Sequence, residues 1–363
     1  MTPHEPSENN WRHRLRQAWQ RRGVLACGLW PLSWGYGFLV WLRRRLYRRH
    51  IWRSHRLPVP VIIVGNVLAG GVGKTPIVIA LVEHCLRAGR RVGVISRGHG
   101  RRDTEVREVL PGADARDVGD EPLLIARRTG AAVWVGADRA AAAQALLQAH
   151  PTVDLIISDD GLQHLALARD LELCVFDERG IGNGWLLPAG PLREPWPRPA
   201  LPGVPCVLLL SVERDSNPTP PMPWAPTTQS HPPVHRIERR LSRMAYRADG
   251  AQRDLSTWHN QSVQALAAIA KPERFFSALQ QQGLILHKAL SLPDHATLDD
   301  VHIDASDGDC LCTEKDAVKL WSQHPEVWAV PLDIELPAHL RAEIDHWLQA
   351  HPQRHRHERN APL

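Results

Sequence analysis

The most constraining feature of this sequence is a glycine-rich stretch between a strand-like run and a helical pattern. Residues 65–75 read GNVLAGGVGKT, and they follow the apolar run Val59–Asn66. Glycines let backbone N–H groups turn toward phosphate oxygens, and a helix N-terminus favours anions. Lys74 is therefore predicted to reach the β- and γ-phosphates of a nucleotide, and the Thr75 hydroxyl to bind Mg²⁺. The predicted nucleotide-binding residues are Leu68, Ala69, Gly70, Gly71, Val72, Gly73, Lys74 and Thr75.

Two further observations bear on this loop. Leu68 stands where the common form of the motif has glycine, so the stretch is typical of a variant phosphate-binding loop. The chain uses arginine for most of its 44 basic residues, and Lys74 is the only lysine before Lys271. The lysine at this position therefore indicates a nucleotide site, and a purely structural glycine-rich turn is the alternative.

Downstream of the loop, short apolar runs alternate with helical stretches. This alternation predicts an α/β fold of the P-loop NTPase type, with a mostly parallel sheet flanked by helices and a second, smaller α/β domain. The predicted strands are Val59–Asn66, Arg91–Arg97, Ala131–Gly136, Asp154–Ser158, Leu171–Asp177 and Cys206–Ser211. The predicted helices cover residues 74–89, 120–130, 139–150, 273–282 and 338–349.

Composition divides the chain into five parts. Residues 216–233 contain seven prolines among Ser, Thr and Asn, which predicts a linker. The other predicted parts are an N-terminal basic and apolar segment at 1–56, a P-loop core domain at 57–215, a smaller C-terminal domain at 234–350 and a tail at 351–363.

The N-terminal segment combines strong positive charge with an apolar run. Between Glu8 and Glu83 there is no acidic residue, but there are twelve arginines and one lysine, and the rest of the chain is net acidic. The nineteen residues Val24–Leu42 carry no charge. Arginines that bracket an apolar block indicate an anionic membrane surface and not nucleic acid. Because Pro31 and three glycines interrupt the run, a helix in the membrane interface is favoured over a spanning one, and a buried core helix is the remaining alternative.

Two pairs of adjacent carboxylates lie at the ends of predicted elements. Asp159 and Asp160 come directly after an apolar strand, at the edge of a parallel sheet where ligands bind. Asp120 and Glu121 begin a helix, where capping is the plain alternative for Asp120. For Asp159 and Asp160 the alternative is a strand-end turn, but adjacent carboxylates repel unless a cation or donor is present.

The order of the motifs resembles that of the tetraacyldisaccharide 4′-kinase family, the lipid A 4′-kinases. The resemblance runs from about residue 30 to 335 and rests on Val59–Pro76, Ser96–Gly98, Gly119–Pro122, Asp159–His164, Arg169–Asp170, Leu187–Pro195, Lys271–Phe275, Pro293–His295 and Thr313–Asp316. Departures are small, since His99 replaces a usual tyrosine and Ala296 follows His295 where a larger residue is common.

The resemblance implies a chemistry and a set of roles. It implies transfer of the γ-phosphate of ATP to the 4′-hydroxyl of a tetraacyldisaccharide 1-phosphate, giving lipid IVA in lipid A biosynthesis. Asp120 would act as the base, supported by His295, and Glu121, Asp159, Asp160 and Thr75 would hold Mg²⁺. It also implies an enzyme that works at the cytoplasmic face of the inner membrane, attached or spanning once through its N-terminal segment. We further predict that the protein is a monomer.

A second class of protein shares part of this pattern. P-loop ATPase switches of the partitioning and nitrogenase-reductase type also carry Gly-Gly-x-Gly-Lys-Thr, and a membrane-attached switch is the alternative function. Those loops have a lysine where this chain has Ala69. A GTPase is disfavoured, because the sequence has no Asn-Lys-x-Asp motif for reading guanine.

Overall fold

The computed structural model describes residues 15, 17–199, 201–213, 234–294, 296–304 and 308–351. The predicted proline-rich linker, His295 and nearly all of the predicted tail lie outside these ranges. The chain divides into two compact units, of which the first comprises Met1–Lys74 and Asp160–Ile237 and the second Thr75–Asp159 and Glu238–Leu363. The five consecutive segments expected from composition stay a prediction.

The helices and strands follow the alternation seen in the sequence. The helices are α1 (Val24–Arg48), α2 (Lys74–Arg87), α3 (Ala115–Val118), α4 (Asp120–Thr129), α5 (Arg139–Ala149), α6 (Pro272–Gln281), α7 (Glu314–Leu320) and α8 (Ala338–Ala350). The strands are β1 (Val61–Gly65), β2 (Val92–Ser96), β3 (Arg107–Glu108), β4 (Ala132–Val135), β5 (Leu155–Asp159), β6 (Leu171–Phe176), β7 (Cys206–Glu213), β8 (Val234–Leu241), β9 (Met244–Tyr246), β10 (Gln252–Asp254), β11 (Ser262–Ala267), β12 (Ile285–Ser291), β13 (Cys310–Thr313), β14 (Trp328–Val330) and β15 (Leu332–Glu335). All the predicted strands and helices are present, with ends within two residues of those expected.

The first unit is built on three parallel strands. Strand β6 pairs with β1, where Ile62 lies opposite Leu171, and with β7, where Glu172 lies opposite Cys206. Every residue of β1 and β6 is buried. Runs of this kind are typical of parallel strands that are covered on both faces. The loop that follows β1 therefore starts at the carboxyl edge of these strands.

Helix α1 presents apolar side chains to solvent along its length. It contains 25 residues and continues through Pro31. Its exposed apolar side chains are Val24, Leu25, Trp30, Leu32, Trp34, Phe38, Leu39 and Trp41. Among the described residues it is the one helix long and apolar enough to cross a membrane, and 11% of its apolar window is buried. Such low burial argues against an ordinary core helix.

The second unit contains two groups of mostly parallel strands. Strand β2 pairs in parallel with β5 and β4, and β3 adds an antiparallel edge to β4. Residues 244–330 form a six-stranded sheet with the order β10-β9-β14-β13-β11-β12. Its core contains Trp258, Leu279 and Leu311, which are fully buried. The predicted α/β class with mostly parallel sheets is confirmed.

Candidate active site

The glycine-rich loop is held by a later segment of the first unit. The backbone N–H of Ala69 donates to the Pro191 carbonyl over 2.7 Å, and the N–H of Arg193 donates to the Val67 carbonyl over 2.7 Å. These bonds pin the first half of the loop to residues 191–193. The motif Leu187–Pro195, which the sequence showed without a role, thus serves as a support for the loop.

Two glycines and one arginine shape the rest of the loop. Gly70 and Gly73 have φ values of 91° and 74°, which favour glycine over any residue with a Cβ. The Arg179 guanidinium donates to the Gly71 carbonyl over 2.7 Å and pairs with Asp177 over 2.8 Å. The contact of Arg179 with the loop was not predicted from the sequence. Its position just after β6, at the edge where the loop begins, is the signal that could have found it.

Lys74 lies between an amide and a carboxylate of its own unit. Its Nζ is 3.3 Å from Asn66 Oδ1 and 3.4 Å from Asp160 Oδ1, and Arg193 Nη1 is 3.2 Å from Asp160 Oδ2. Burial acts to raise the pKa of Asp160, but the charges of Lys74 and Arg193 outweigh it and hold that pKa below its usual range. Asp160 is therefore an anion at neutral pH, as a metal ligand must be.

A chain of hydrogen bonds joins helix α1 to the partner of Lys74. Glu194 accepts from Arg44 over 2.7 Å and from the Gln163 amide over 2.8 Å. The same Gln163 amide donates to the Asn66 carbonyl over 2.9 Å. Glu194 is buried, and a buried carboxylate is stable only when it is paired. The apolar N-terminal helix is therefore connected to the glycine-rich loop through polar contacts.

Asp120 stands in the first turn of α4, in the second unit. The N-cap residue of α4 is Gly119, which has a φ of 92°. The alternative that Asp120 is the N-cap of this helix is therefore wrong. The Asp120 carboxylate is buried and accepts the backbone N–H of Glu121 over 2.9 Å through Oδ1. A Cβ on Gly119 would lie 3.0 Å from the Gly98 Cα, so the two glycine motifs pack closely. Lys315 Nζ lies 3.8 Å from Asp120 Oδ2 and 3.9 Å from Glu121 Oε1.

The other predicted metal ligands are oxygens at element ends. Asp159 ends β5 and is 1% exposed, and its Oδ2 accepts from the Ser96 hydroxyl over 3.4 Å. Thr75 lies buried in the first turn of α2. Within the described ranges no three His, Cys, Asp or Glu side chains form a ready-made metal site. Mg²⁺ usually takes one or two carboxylates together with substrate phosphates, so the hard oxygen donors at these positions fit Mg²⁺ held with a nucleotide.

The structure thus describes most of the predicted site residues. It pairs Lys74 with Asp160 in the first unit, and it joins Asp120 and Glu121 through Lys315 in the second. His295 lies outside the described residues. The catalytic and metal-binding roles of these residues stay predictions.

Comparison with known proteins decides the family. Residues 25–349 match the family described as Tetraacyldisaccharide-1-P 4′-kinase. The chain belongs to this family. A tetraacyldisaccharide 4′-kinase of Acidovorax sp. (strain JS42) is 51% identical over 325 residues, which cover 89% of this chain and 91% of that protein. One of Delftia acidovorans is 46% identical over 338 residues, covering 93% of this chain and 95% of that protein.

A solved structure supports the fold of this tetraacyldisaccharide 4′-kinase family member. The crystal structure of LpxK from Aquifex aeolicus in complex with ATP matches with a TM-score of 0.75 and 25% sequence identity. The match covers 90% of this chain and 99% of that one. The P-loop-type fold expected from the sequence is confirmed. Family membership also favours a 4′-kinase over the ATPase switch that was the alternative.

Proposed function

We propose that this family member transfers the γ-phosphate of ATP to the 4′-hydroxyl of a tetraacyldisaccharide 1-phosphate, with Asp120 as the base. The observation that carries the proposal is the glycine-rich loop that ends in Lys74, in a chain that matches the 4′-kinase family from residue 25 to 349. The product would be a lipid disaccharide with a phosphate at each end, lipid IVA of lipid A biosynthesis.

The loop residues have roles that follow from their surroundings. The positive φ of Gly70 and Gly73 shapes the loop so that its N–H groups can meet phosphate oxygens. Lys74, at the start of α2, supplies a positive charge beside the helix N-terminus, where anions are stabilised. Its ammonium group contacts Asn66 and Asp160. These groups would bind ATP and stabilise the charge that develops on the transferred phosphoryl group.

Asp120 is suited to accept the proton of the acceptor alcohol. The N–H of Glu121 fixes one carboxylate oxygen, which orients the other. The alcohol oxygen forms a bond to the γ-phosphorus, the bond from that phosphorus to the β-bridging oxygen breaks, and the hydroxyl proton passes to Asp120, leaving ADP. Mg²⁺ held by Thr75, Glu121, Asp159 and Asp160 would neutralise charge on the phosphates. His295 is proposed to support Asp120, as the family resemblance implies.

Helix α1 is proposed to attach the enzyme to the cytoplasmic face of the inner membrane while lying in the interface. Its polar contacts with the first unit are spread along it, from Ser33, which donates to the Leu186 carbonyl, to Tyr36 and Arg44. A helix fastened along its length favours a monotopic attachment over a span. Trp34 and Trp41 are suited to the headgroup region, and neighbouring arginines attract anionic lipid at about 1 kcal/mol each.

Replacing Trp34 and Phe38 together by aspartate is expected to weaken binding to anionic vesicles by at least about tenfold. Both side chains are more than half exposed, so the folded unit loses little when they change. The measurement is sedimentation with vesicles of mixed phosphatidylglycerol and phosphatidylethanolamine. Leu110→Asp, at an apolar side chain with 59% exposure in the second unit, is the control. Equal binding of the double variant and the control would contradict the attachment through α1.

A radiolabel-transfer assay tests the proposed reaction. Purified protein is incubated with γ-labelled ATP, Mg²⁺ and detergent-dispersed tetraacyldisaccharide 1-phosphate, and the lipid is separated by thin-layer chromatography. Label should enter the lipid, and ATP consumption should depend on the acceptor. ATP consumption that is the same with and without the lipid would instead support the ATPase switch.

A further inference from the structure

Helix α7 carries two of the five lysines in the chain, and they share one face. Lys315 and Lys319 are four residues apart, a spacing that places side chains one above the other on a helix. Neither entered the site predicted from the sequence. Both contact groups close to residues that the proposed reaction uses, and all of these contacts lie within the second unit.

Lys315 is surrounded by three carboxylates. Its Nζ lies 3.4 Å from Asp294 Oδ1, 3.8 Å from Asp120 Oδ2 and 3.9 Å from Glu121 Oε1, and its side chain is 18% exposed. An ammonium group at these distances balances anions that would repel one another without it.

Lys319 holds the next part of the same segment. Its ammonium group donates to the Ala296 carbonyl over 3.0 Å. Asp294 and Ala296 are the residues on either side of His295 in the sequence. The two lysines thus attach both sequence neighbours of the proposed supporting histidine to one helix.

Helix α7 is itself firmly fixed. Glu314 accepts from Arg128 over 2.5 Å and from the Tyr246 hydroxyl over 2.6 Å. Asp316 is fully buried and accepts from the Ala268 N–H over 2.9 Å. Arg128 belongs to α4, the helix that Asp120 begins. Helix α7 therefore contacts α4 at both ends of α4. Glu314 pairs with Arg128 near the end of α4, and Lys315 lies near Asp120 at its start.

We propose that Lys315 is a positioning residue of the reaction, which fixes the Asp120 carboxylate relative to Asp294, and that Lys319 assists it by holding the Ala296 carbonyl. The inference rests on the proposed role of Asp120 as the base. The Glu121 N–H fixes Asp120 Oδ1, and Lys315 Nζ lies 3.8 Å from Asp120 Oδ2. Without the ammonium group, repulsion among the three carboxylates would turn Asp120 away from the acceptor hydroxyl. A displacement of about 1 Å at a reacting group costs on the order of a hundredfold in rate.

The test measures kcat and KM in the full chain for Lys315→Met, which removes the charge and keeps the length of the side chain. We expect kcat to fall by about thirtyfold or more, whereas KM for ATP changes by less than about threefold, because the phosphate-binding loop is untouched. Lys315→Arg keeps the charge. Its decrease in log kcat should therefore be at least a third smaller than the decrease for Lys315→Met. Lys319→Met should lower kcat by roughly tenfold. Lys288→Met, at an exposed lysine on β12, is the matched control and should leave kcat unchanged.

A double variant separates positioning from general damage. If Lys315 acts through Asp120, then Asp120→Asn with Lys315→Met should be no slower than Asp120→Asn alone. Independent effects that multiply would overturn the inference, and so would a Lys315→Met enzyme within threefold of wild type. If thermal unfolding shows that Lys315→Met is not folded, Asp294→Asn tests the other part of the proposal. It removes the ion pair through which Lys315 contacts Asp294, and we expect kcat to fall by about tenfold.

The same series distinguishes the inference from the proposed function. Absence of label transfer by the wild type would overturn the kinase reaction. An Asp120→Asn variant with wild-type kcat would overturn the base, and the inference with it. A slow Asp120→Asn variant beside a fast Lys315→Met variant would overturn the inference alone.

Discussion

Replacing Asp120 by asparagine is expected to lower kcat by about a hundredfold or more and to leave KM for ATP nearly unchanged. Asparagine has almost the same shape and can still accept the N–H of Glu121 that fixes Asp120 Oδ1. It cannot take a proton, so the alcohol must lose its proton to water. General-base catalysis typically contributes 10² to 10⁴ in rate, which sets the expected size of the loss.

A matched carboxylate serves as the control for this variant. Asp114 caps the short helix α3 and accepts the Arg116 N–H in much the same way, but it is exposed. Asp114→Asn should therefore retain wild-type kcat, and both variants should keep the wild-type unfolding temperature within a few degrees. Wild-type kcat in Asp120→Asn would contradict the role of Asp120 as the base.

Replacing Lys74 by methionine is expected to lower kcat/KM for ATP by about 10² to 10³. The variant loses the cation at the N-terminus of α2, while Asp160 keeps its ion pair with Arg193. Loss of one preorganised donor to developing charge typically has an effect of this size. Steady-state kinetics against ATP measure it, and calorimetry should show weaker binding of a nonhydrolysable ATP analogue.

Lys288→Met again provides the control, since it also replaces one lysine by methionine but on an exposed strand of the second unit. Unchanged kcat/KM in Lys74→Met, with unchanged binding of the analogue, would show that the glycine-rich loop does not bind the phosphates. The proposed function would then lose the observation that carries it.

The pattern of apolar residues predicted the strands and helices because buried strands of this fold appear in the sequence as short apolar runs. Strands β1 and β5 are buried at every residue and read as short apolar runs. The glycine-rich loop was equally visible, since positive φ at Gly70 and Gly73 requires glycine. These features depend on neighbours in the sequence, and such features can be read from it.

Local sequence preferences did not predict the start of α4 or the continuation of α1 through a proline. Capping statistics favour aspartate at an N-cap, but Gly119 takes that position before α4 because its φ of 92° suits glycine. Proline usually ends a helix, yet α1 continues through Pro31. Contacts made by Ser33 and Tyr36, directly after this proline, help to hold the helix in place. Tertiary contacts decided what local preference could not.

The contacts around the candidate site residues could not be predicted from the sequence, for a different reason. Lys315 is 195 positions from Asp120 in the sequence, and Arg179 is 108 from Gly71. No periodicity connects residues so far apart, and a lysine on a short helix has the same local pattern whether it meets solvent or three carboxylates. The family resemblance named the motif Thr313–Asp316 but gave no role to its lysine.

Transfer of phosphate to the 4′-oxygen is tested by locating the phosphate in the product. The enzyme is supplied with ATP, Mg²⁺ and either tetraacyldisaccharide 1-phosphate or the same lipid methylated at the 4′-oxygen, and the products are examined by phosphorus–proton correlation NMR. We expect one new phosphate, coupled to the 4′ proton, in the unmethylated lipid, and no new phosphate in the methylated one. Phosphate on the methylated lipid, or at any other position of the unmethylated one, would contradict it.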